Sequence, residues 1–242
     1  MDATFTSPFM YWVGMDTHGA TDAQLAEFNS FYDDVHCHEV VAMNPGFVRA
    51  HRYELVTPDP RGDFGPRWLA VYEMADEQAA RTYMARNDGP AEGRPNYTPV
   101  PDAWRATATS RWRIIWRQIA EAGSLEEAPY SIFLVGIDPP ESAADEDVKE
   151  FNDFYTNIHL PEVMAASNYG RGTRYELARA FVHPQPGCPR YLANYETDEL
   201  TGKQLEANPP GPRSLSVGPE VWQQHTTPWR LIYNRIHSYD PG

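Results

Sequence analysis

The chain has 242 residues, 41% hydrophobic and 22% charged, with a mean hydropathy of −0.60; this is ordinary globular usage and excludes a collagenous, low-complexity or disordered chain. A formal charge of −14 repels phosphate backbones and anionic headgroups, so neither nucleic acid nor membrane is an expected partner. The N-terminus lacks a basic stretch followed by an apolar run, no segment approaches the ~18 apolar residues of a bilayer span, and Cys37 and Cys188 sit in unrelated contexts. Those features predict a cytoplasmic protein with two free thiols.

In chain order, Met10 to Met15 is an apolar run of strand length. Thr21-Asp22-Ala23-Gln24 then fits a capping box that opens a helix, and Asn44-Pro45-Gly46 stops it. Residues 48–55 and 67–74 alternate apolar with polar, as half-buried antiparallel strands do, and a weaker helix is predicted near 76–87. A further strand at 110–117 puts Trp112, Ile114 and Trp116 on one face.

The same order then recurs. Val13-Gly14-Met15-Asp16 answers Val135-Gly136-Ile137-Asp138, and Phe28-Asn29-Ser30-Phe31-Tyr32 answers Phe151-Asn152-Asp153-Phe154-Tyr155. Arg52-Tyr53-Glu54-Leu55 returns as Arg174-Tyr175-Glu176-Leu177, Trp104 as Trp222, and Trp112-Arg113 as Trp229-Arg230. The second helix begins at Ser142 or Asp145 and ends at Asn168-Tyr169-Gly170; a weaker one lies near 198–207. The predicted organisation is repeat 1 over 1–120, a linker over 121–129 and repeat 2 over 130–242. Each repeat reads βαββαβ, a ferredoxin-like α+β unit. Such a unit covers one sheet face with helices and leaves the other bare. The two repeats are therefore predicted to pack sheet to sheet as an intramolecular dimer, with a ligand cavity between the facing sheets. Trp12, Trp112, Trp116, Trp229 and Tyr233 are the expected aromatic lining of that cavity.

The first helix of each repeat carries the chemistry. Helical spacing aligns Asn29, Tyr32, His36 and Glu39 on one stripe, and Asn152, Tyr155, His159 and Glu162 on its counterpart. His36 and His159 suit proton transfer near neutral pH, because an unperturbed imidazole titrates at about 6.5. Tyr32 and Tyr155 are candidate donors to a developing enolate or phenolate oxygen. Glu39 and Glu162, one turn on, are candidates to orient the imidazoles. Arg52 and Arg174 are read as substrate-carboxylate clamps or as structural pairs for the helix carboxylates. A metal reading of His36-Cys37-His38 fails on geometry, since adjacent helical positions point about 100° apart. No metal site is expected.

The run Phe154-Tyr155-x-x-x-His159-x-Pro161-Glu162-Val163 resembles the aromatic-Tyr-x-x-x-His-x-Pro signature of the dimeric α+β barrel superfamily, in particular EthD-like and muconolactone-isomerase-like proteins. In the first repeat His38 stands where the proline falls. The resemblance implies the barrel fold and a range of chemistries: cofactor-independent isomerases, polyketide cyclases, decarboxylases, monooxygenases and haem-binding barrels.

The leading expectation is a cofactor-independent enzyme using His/Tyr acid–base chemistry on a hydrophobic aromatic or polycyclic carbonyl or phenol compound. A haem-binding oxidative enzyme, with His36, His159, His183 or His225 as axial ligand, and a non-catalytic binder of apolar ligands are the alternatives. The expected partners are a small aromatic substrate and a second copy of the chain. Pro161 removes an amide donor, so the second helix is predicted to be distorted and the first to run on undisturbed.

Overall fold

The computed structural model describes residues 5–183, 187–207 and 214–242. The first repeat contributes strands β1 (Phe9–Thr17), β2 (Phe47–Thr57), β3 (Trp68–Met74) and β4 (Ala108–Gly123). The second contributes β5 (Ser131–Ile137), β6 (Arg171–Val182), β7 (Tyr191–Thr197) and β8 (Arg230–Tyr239). Within each repeat the strands order as β4-β1-β3-β2 and β8-β5-β7-β6, the ferredoxin-like arrangement. The edges then join: β2 pairs with β8 and β4 with β6, both antiparallel and both with register shifts, closing one eight-stranded barrel. Closure removes every sheet edge, the usual liability of an open sheet. The first residues of the predicted linker, 121–123, belong to β4, whose long C-terminal arm forms the seam with β6.

Two faces of alternation account for the core. Inward positions Met10, Trp12, Leu69, Val71, Trp112, Ile114, Trp116, Leu134, Leu192, Trp229, Leu231 and Tyr233 meet in one buried cluster inside the barrel. The expected inter-sheet cavity is therefore a filled core. Trp12, Trp112, Trp116, Trp229 and Tyr233 are each at most 1% exposed, and the Trp112 and Trp229 rings stack at 5.2 Å. Residues 5–8 plug one end. Phe5, in the left-handed region at φ 60°, packs edge-on to His51, and its amide donates to Glu73 Oε1 at 2.9 Å while Arg171 donates to its carbonyl at 2.5 Å. That end is polar: Glu73, His51, Arg171, Thr173, Asn194 and Glu196 are all buried there.

The helices lie outside the barrel. Those next to the candidate sites are α1 (Asp22–Phe31) and α2 (Cys37–Met43) in the first repeat, and α5 (Asp145–Phe154) and α6 (Leu160–Ser167) in the second. Thr21 and Gln24 form the predicted capping box. Elements α3 (Glu77–Asp88) and α7 (Glu199–Ala207) match the weaker predicted helices, while α4 (Asp102–Thr107) and α8 (Glu220–Gln223) are short additions before the last strand of each repeat.

Between α1 and α2, and again between α5 and α6, the chain makes a π-helical turn, Tyr32–His36 and Tyr155–His159. The Cys37 amide donates to the Tyr32 carbonyl and the Leu160 amide to the Tyr155 carbonyl, five residues back. This corrects the expectation of one distorted and one regular helix: both are distorted alike, with His38 in one and Pro161 in the other, so proline is not the cause. Such single-turn bulges concentrate at functional sites. Cys37 and Cys188 are free, and no described helix is long and apolar enough to cross a membrane.

Candidate functional site: twin pockets under the helices

The openings that reach the His and Tyr side chains lie outside the barrel, between the π turns and the outer face of the sheet. The second-repeat pocket has a volume of about 420 Å³ and is lined by Tyr155, His159, Tyr195, Trp222, His225 and Arg230 among others. Its first-repeat counterpart, near Tyr32, His36, Tyr72, Trp104 and Arg113, holds about 200 Å³. Drug-sized ligand sites begin at ~300 Å³, which the second pocket exceeds and the first does not reach.

The π turn brings Tyr and His together. Ring centroids of Tyr32 and His36 are 5.1 Å apart, those of Tyr155 and His159 5.0 Å, both edge-on. A tryptophan from the short helix closes each pair: Trp104 lies 5.3 Å from His36, and Trp222 lies 4.5 Å from His159. Behind each tyrosine a buried guanidinium sits over the ring at 4.3 Å, Arg52 over Tyr32 and Arg174 over Tyr155. Arg52 donates to Asp33 at 2.6 Å and to Asn29 Oδ1 at 2.8 Å; Arg174 donates to Thr156 at 2.8 Å and to Asn152 Oδ1 at 2.7 Å. At 1% and 0% exposure both arginines brace the tyrosines from the core side and do not face the pockets.

The glutamates of the predicted stripe do a different job from orienting imidazole. Glu39 accepts from the Thr98 amide at 3.0 Å and hydroxyl at 2.6 Å, and Glu162 from the Ser216 amide at 2.9 Å and hydroxyl at 2.5 Å. Each clips the loop that precedes its tryptophan helix to the π-turn helix.

Electrostatics separates the groups further. Burial pushes the His36 imidazole down to about 4, opposed by Glu39 and reinforced by Arg52, and its Nδ1 has no hydrogen-bond partner among the described residues. Burial also raises the Tyr155 and Tyr195 phenols, whose hydroxyls are 3.2 Å apart. Tyr32 and Tyr72 occupy the equivalent places, and burial raises their phenols likewise. Of the other candidate histidines, His225 stacks on Trp222 at 4.5 Å inside the second pocket, and His183 stacks on Trp112 at 5.6 Å, away from both pockets. Among the described residues no three metal-ligating side chains converge. The residues that sequence reasoning left without a site role are Trp104, Trp222, Tyr72, Tyr195 and Arg230. The recurrence of Tyr72-Glu73 as Tyr195-Glu196, of Trp104 as Trp222 and of Arg113 as Arg230 is the signal that marks them in the sequence.

No family model matches the chain, and no curated protein matches it. Solved structures do. An anthrone oxidase-like protein superposes with a TM-score of 0.53 at 10% identity, over 98% of this chain and 95% of that one. A variant of DypB from Rhodococcus jostii in complex with heme gives 0.50 at 8% identity, over 97% and 93%. A chlorite dismutase from Candidatus Nitrospira defluvii gives 0.47 at 9% identity, over 96% and 92%. At these identities the likeness is one of fold: the chain is a dimeric α+β barrel whose two halves are joined in a single polypeptide.

Proposed function

We propose that the chain is an EthD-like, cofactor-independent enzyme that moves protons on a hydrophobic aromatic or polycyclic carbonyl or phenol compound held in the second-repeat pocket. The observation that carries this reading is the asymmetry of the twin sites: both keep the Tyr–His π turn and its tryptophan, but the second pocket has twice the space. Aromatic walls from Trp222, Tyr155, Tyr195 and Phe133 suit a flat apolar substrate.

In this reading His159 is the general base. It removes a proton from the carbon next to a carbonyl; the C–H pair becomes a C=C bond and the carbonyl π electrons move to oxygen. Tyr155 donates its hydroxyl hydrogen to that oxygen, with Tyr195 relaying into Tyr155 across 3.2 Å. Burial keeps both phenols protonated and available as donors, and the Arg174 cation over the Tyr155 ring offsets charge as it develops. Return of the proton to another carbon gives isomerisation. Expulsion of a β leaving group from the same enolate gives a lyase. In a decarboxylase the C–C bond to the carboxylate of a β-keto acid breaks in place of C–H, CO2 departs, the pair forms the same enolate, and protonated His159 returns a proton to carbon.

Haem, which the DypB neighbour carries, needs an imidazole nitrogen facing a flat open slot. Here Trp222 lies against both His159 and His225 at 4.5 Å, and Phe31, Tyr32, Tyr97 and Trp104 enclose His36. Around these three histidines the residues as arranged do not fit a porphyrin, and His183 stacks on the buried Trp112 at 5.6 Å, so no step is routed through one.

The test is proton exchange at the carbon alpha to the carbonyl of 2-tetralone in D2O, followed by NMR. His159→Ala lowers the catalysed rate by at least ~100-fold, the lower end of a general acid/base contribution, while His36→Ala costs less. Loss in His36→Ala beside normal His159→Ala moves the site to the first repeat, an unchanged rate in both variants removes the histidines as the base, and no exchange by wild type above the buffer rate identifies a non-catalytic binder.

A further inference from the structure

The duplicated sites differ most in one cation. Arg113 and Arg230 are strict equivalents: Arg113 pairs across β1 with Val13, and Arg230 across β5 with Val135. In the first repeat the guanidinium is tied down. It donates to the Tyr11 hydroxyl at 2.8 Å, to Asn87 Oδ1 at 2.7 Å and to the Tyr83 hydroxyl at 3.5 Å, and it lies over the Phe181 ring at 5.4 Å. Those groups help to close the smaller pocket.

Each polar partner is deleted in the second repeat. Tyr11, opposite Tyr72, corresponds to Phe133, opposite Tyr195. Counted from the aspartates that cap their helices, Asp76 and Asp198, Tyr83 corresponds to Leu205. By the same count Asn87 corresponds to Pro209, which lies outside the described residues. The Arg230 amide is held by Asp59 at 2.8 Å, which fixes the strand, but its exposed guanidinium has no hydrogen bond, ion pair or ring contact among the described residues. It borders the pocket that contains Tyr155, His159 and Trp222. A guanidinium presents a planar fork matched to carboxylate, and it remains cationic at any working pH.

From this the geometry points to Arg230 as the residue that selects the ligand of the second-repeat pocket: a flat aromatic compound carrying a carboxylate, its ring against Trp222 and its carboxylate on the guanidinium. This rests on the second pocket being the ligand site, and it adds the substrate's charge. The protein's overall charge of −14 disfavours anions at long range, so a local cation without a carboxylate partner among the described residues is the element that makes an anionic ligand acceptable.

The test compares 2-naphthoate with 2-naphthamide, its neutral analogue of the same size, by calorimetric titration of the full chain. Wild type binds the carboxylate at least ~10-fold more tightly, the ratio expected of one charge-assisted contact. In Arg230→Gln that ratio collapses toward one while amide binding stays within about twofold, because the aromatic walls are intact; Arg230→Lys keeps part of the preference. Phe133→Tyr, which restores the hydroxyl that pins Arg113, lowers carboxylate affinity selectively. Equal binding of both probes by wild type, or an unchanged ratio in Arg230→Gln, overturns the assignment while leaving the pocket as the ligand site. Failure of both probes to bind at all overturns the pocket reading itself, and the assignment with it.

Discussion

Glu196 offers the sharpest test of the barrel interior. It is fully buried at the polar end, where Oε1 accepts from Asn194 at 2.9 Å and from Thr173 at 3.4 Å, while Arg171 stays 3.8 Å from Oε2. Burial, with Glu73 adding to it and Arg171 opposing, raises this carboxyl from 4.5 to about 8. The folded state therefore holds a proton that the unfolded chain releases. Its stability contribution is complete below about pH 4.5 and is lost as pH rises toward 8. At about 1.4 kcal/mol per pH unit, that interval sets an upper bound of about 5 kcal/mol. Relaxation around a buried site makes ~2–4 kcal/mol the working expectation. Glu196→Gln keeps the shape and removes the titration. Urea unfolding of wild type and variant at pH 4.5, 6.5 and 8.5 reads the difference directly: nearly equal stabilities at pH 4.5, with the variant ahead by a few kcal/mol at pH 8.5. Parallel pH curves, or a wild type that gains on the variant as pH rises, refute a protonated lumen carboxyl.

Other consequences are simpler to check. The His36 imidazole, driven by burial to about 4, stays neutral from pH 8 to 5, so its NMR resonances do not titrate there. Because its folded value lies below the free one, it withdraws stability only as pH falls from 6.5 toward 4. Gly136→Ala places a methyl 2.8 Å from Pro189 Cγ and 3.0 Å from the Trp229 ring. It costs about 1–3 kcal/mol in denaturant unfolding through overpacking. Residues 1–122 alone leave their half of the lumen in water; at ~25 cal/mol per Å², about 500 Å² of apolar surface is worth roughly 12 kcal/mol. Sedimentation of that fragment shows a dimer or aggregates, and a monodisperse folded monomer contradicts the account. Stoichiometric hemin produces no shifted Soret band, since Trp222 fills the space against His159.

The fold was legible because duplication wrote it twice: Trp112-Ile114-Trp116 and Trp229-Leu231-Tyr233 mark the same inward face in both repeats. Barrel closure was harder to see. The seams β2–β8 and β4–β6 depend on strand length and bulges, which leave no signal in residue type. Misplacing the cavity had a physical cause, since large aromatic side chains on an inner face either fill a lumen or line one, and alternation alone does not give the lumen's radius. The Tyr–His pairs were visible as residues, but the π turn was not: a hydrogen bond shifted by one residue tolerates His38 in one repeat and Pro161 in the other. The role of Glu39 and Glu162 was hidden because their partners, Thr98 and Ser216, lie more than fifty residues away in loops. Arg230 stood out only once its twin's partners were known, because what distinguishes it is the loss of a hydroxyl at Phe133.

The central claim, that ligand binds outside the barrel in the second-repeat pocket, is tested most directly by a crystal structure of the chain grown with 2-naphthoate. The account predicts the naphthalene ring between Trp222 and Tyr155, near His159, with its carboxylate on Arg230. Ligand density beside His36 and Trp104 in the first repeat, or within the tryptophan-filled lumen, contradicts it.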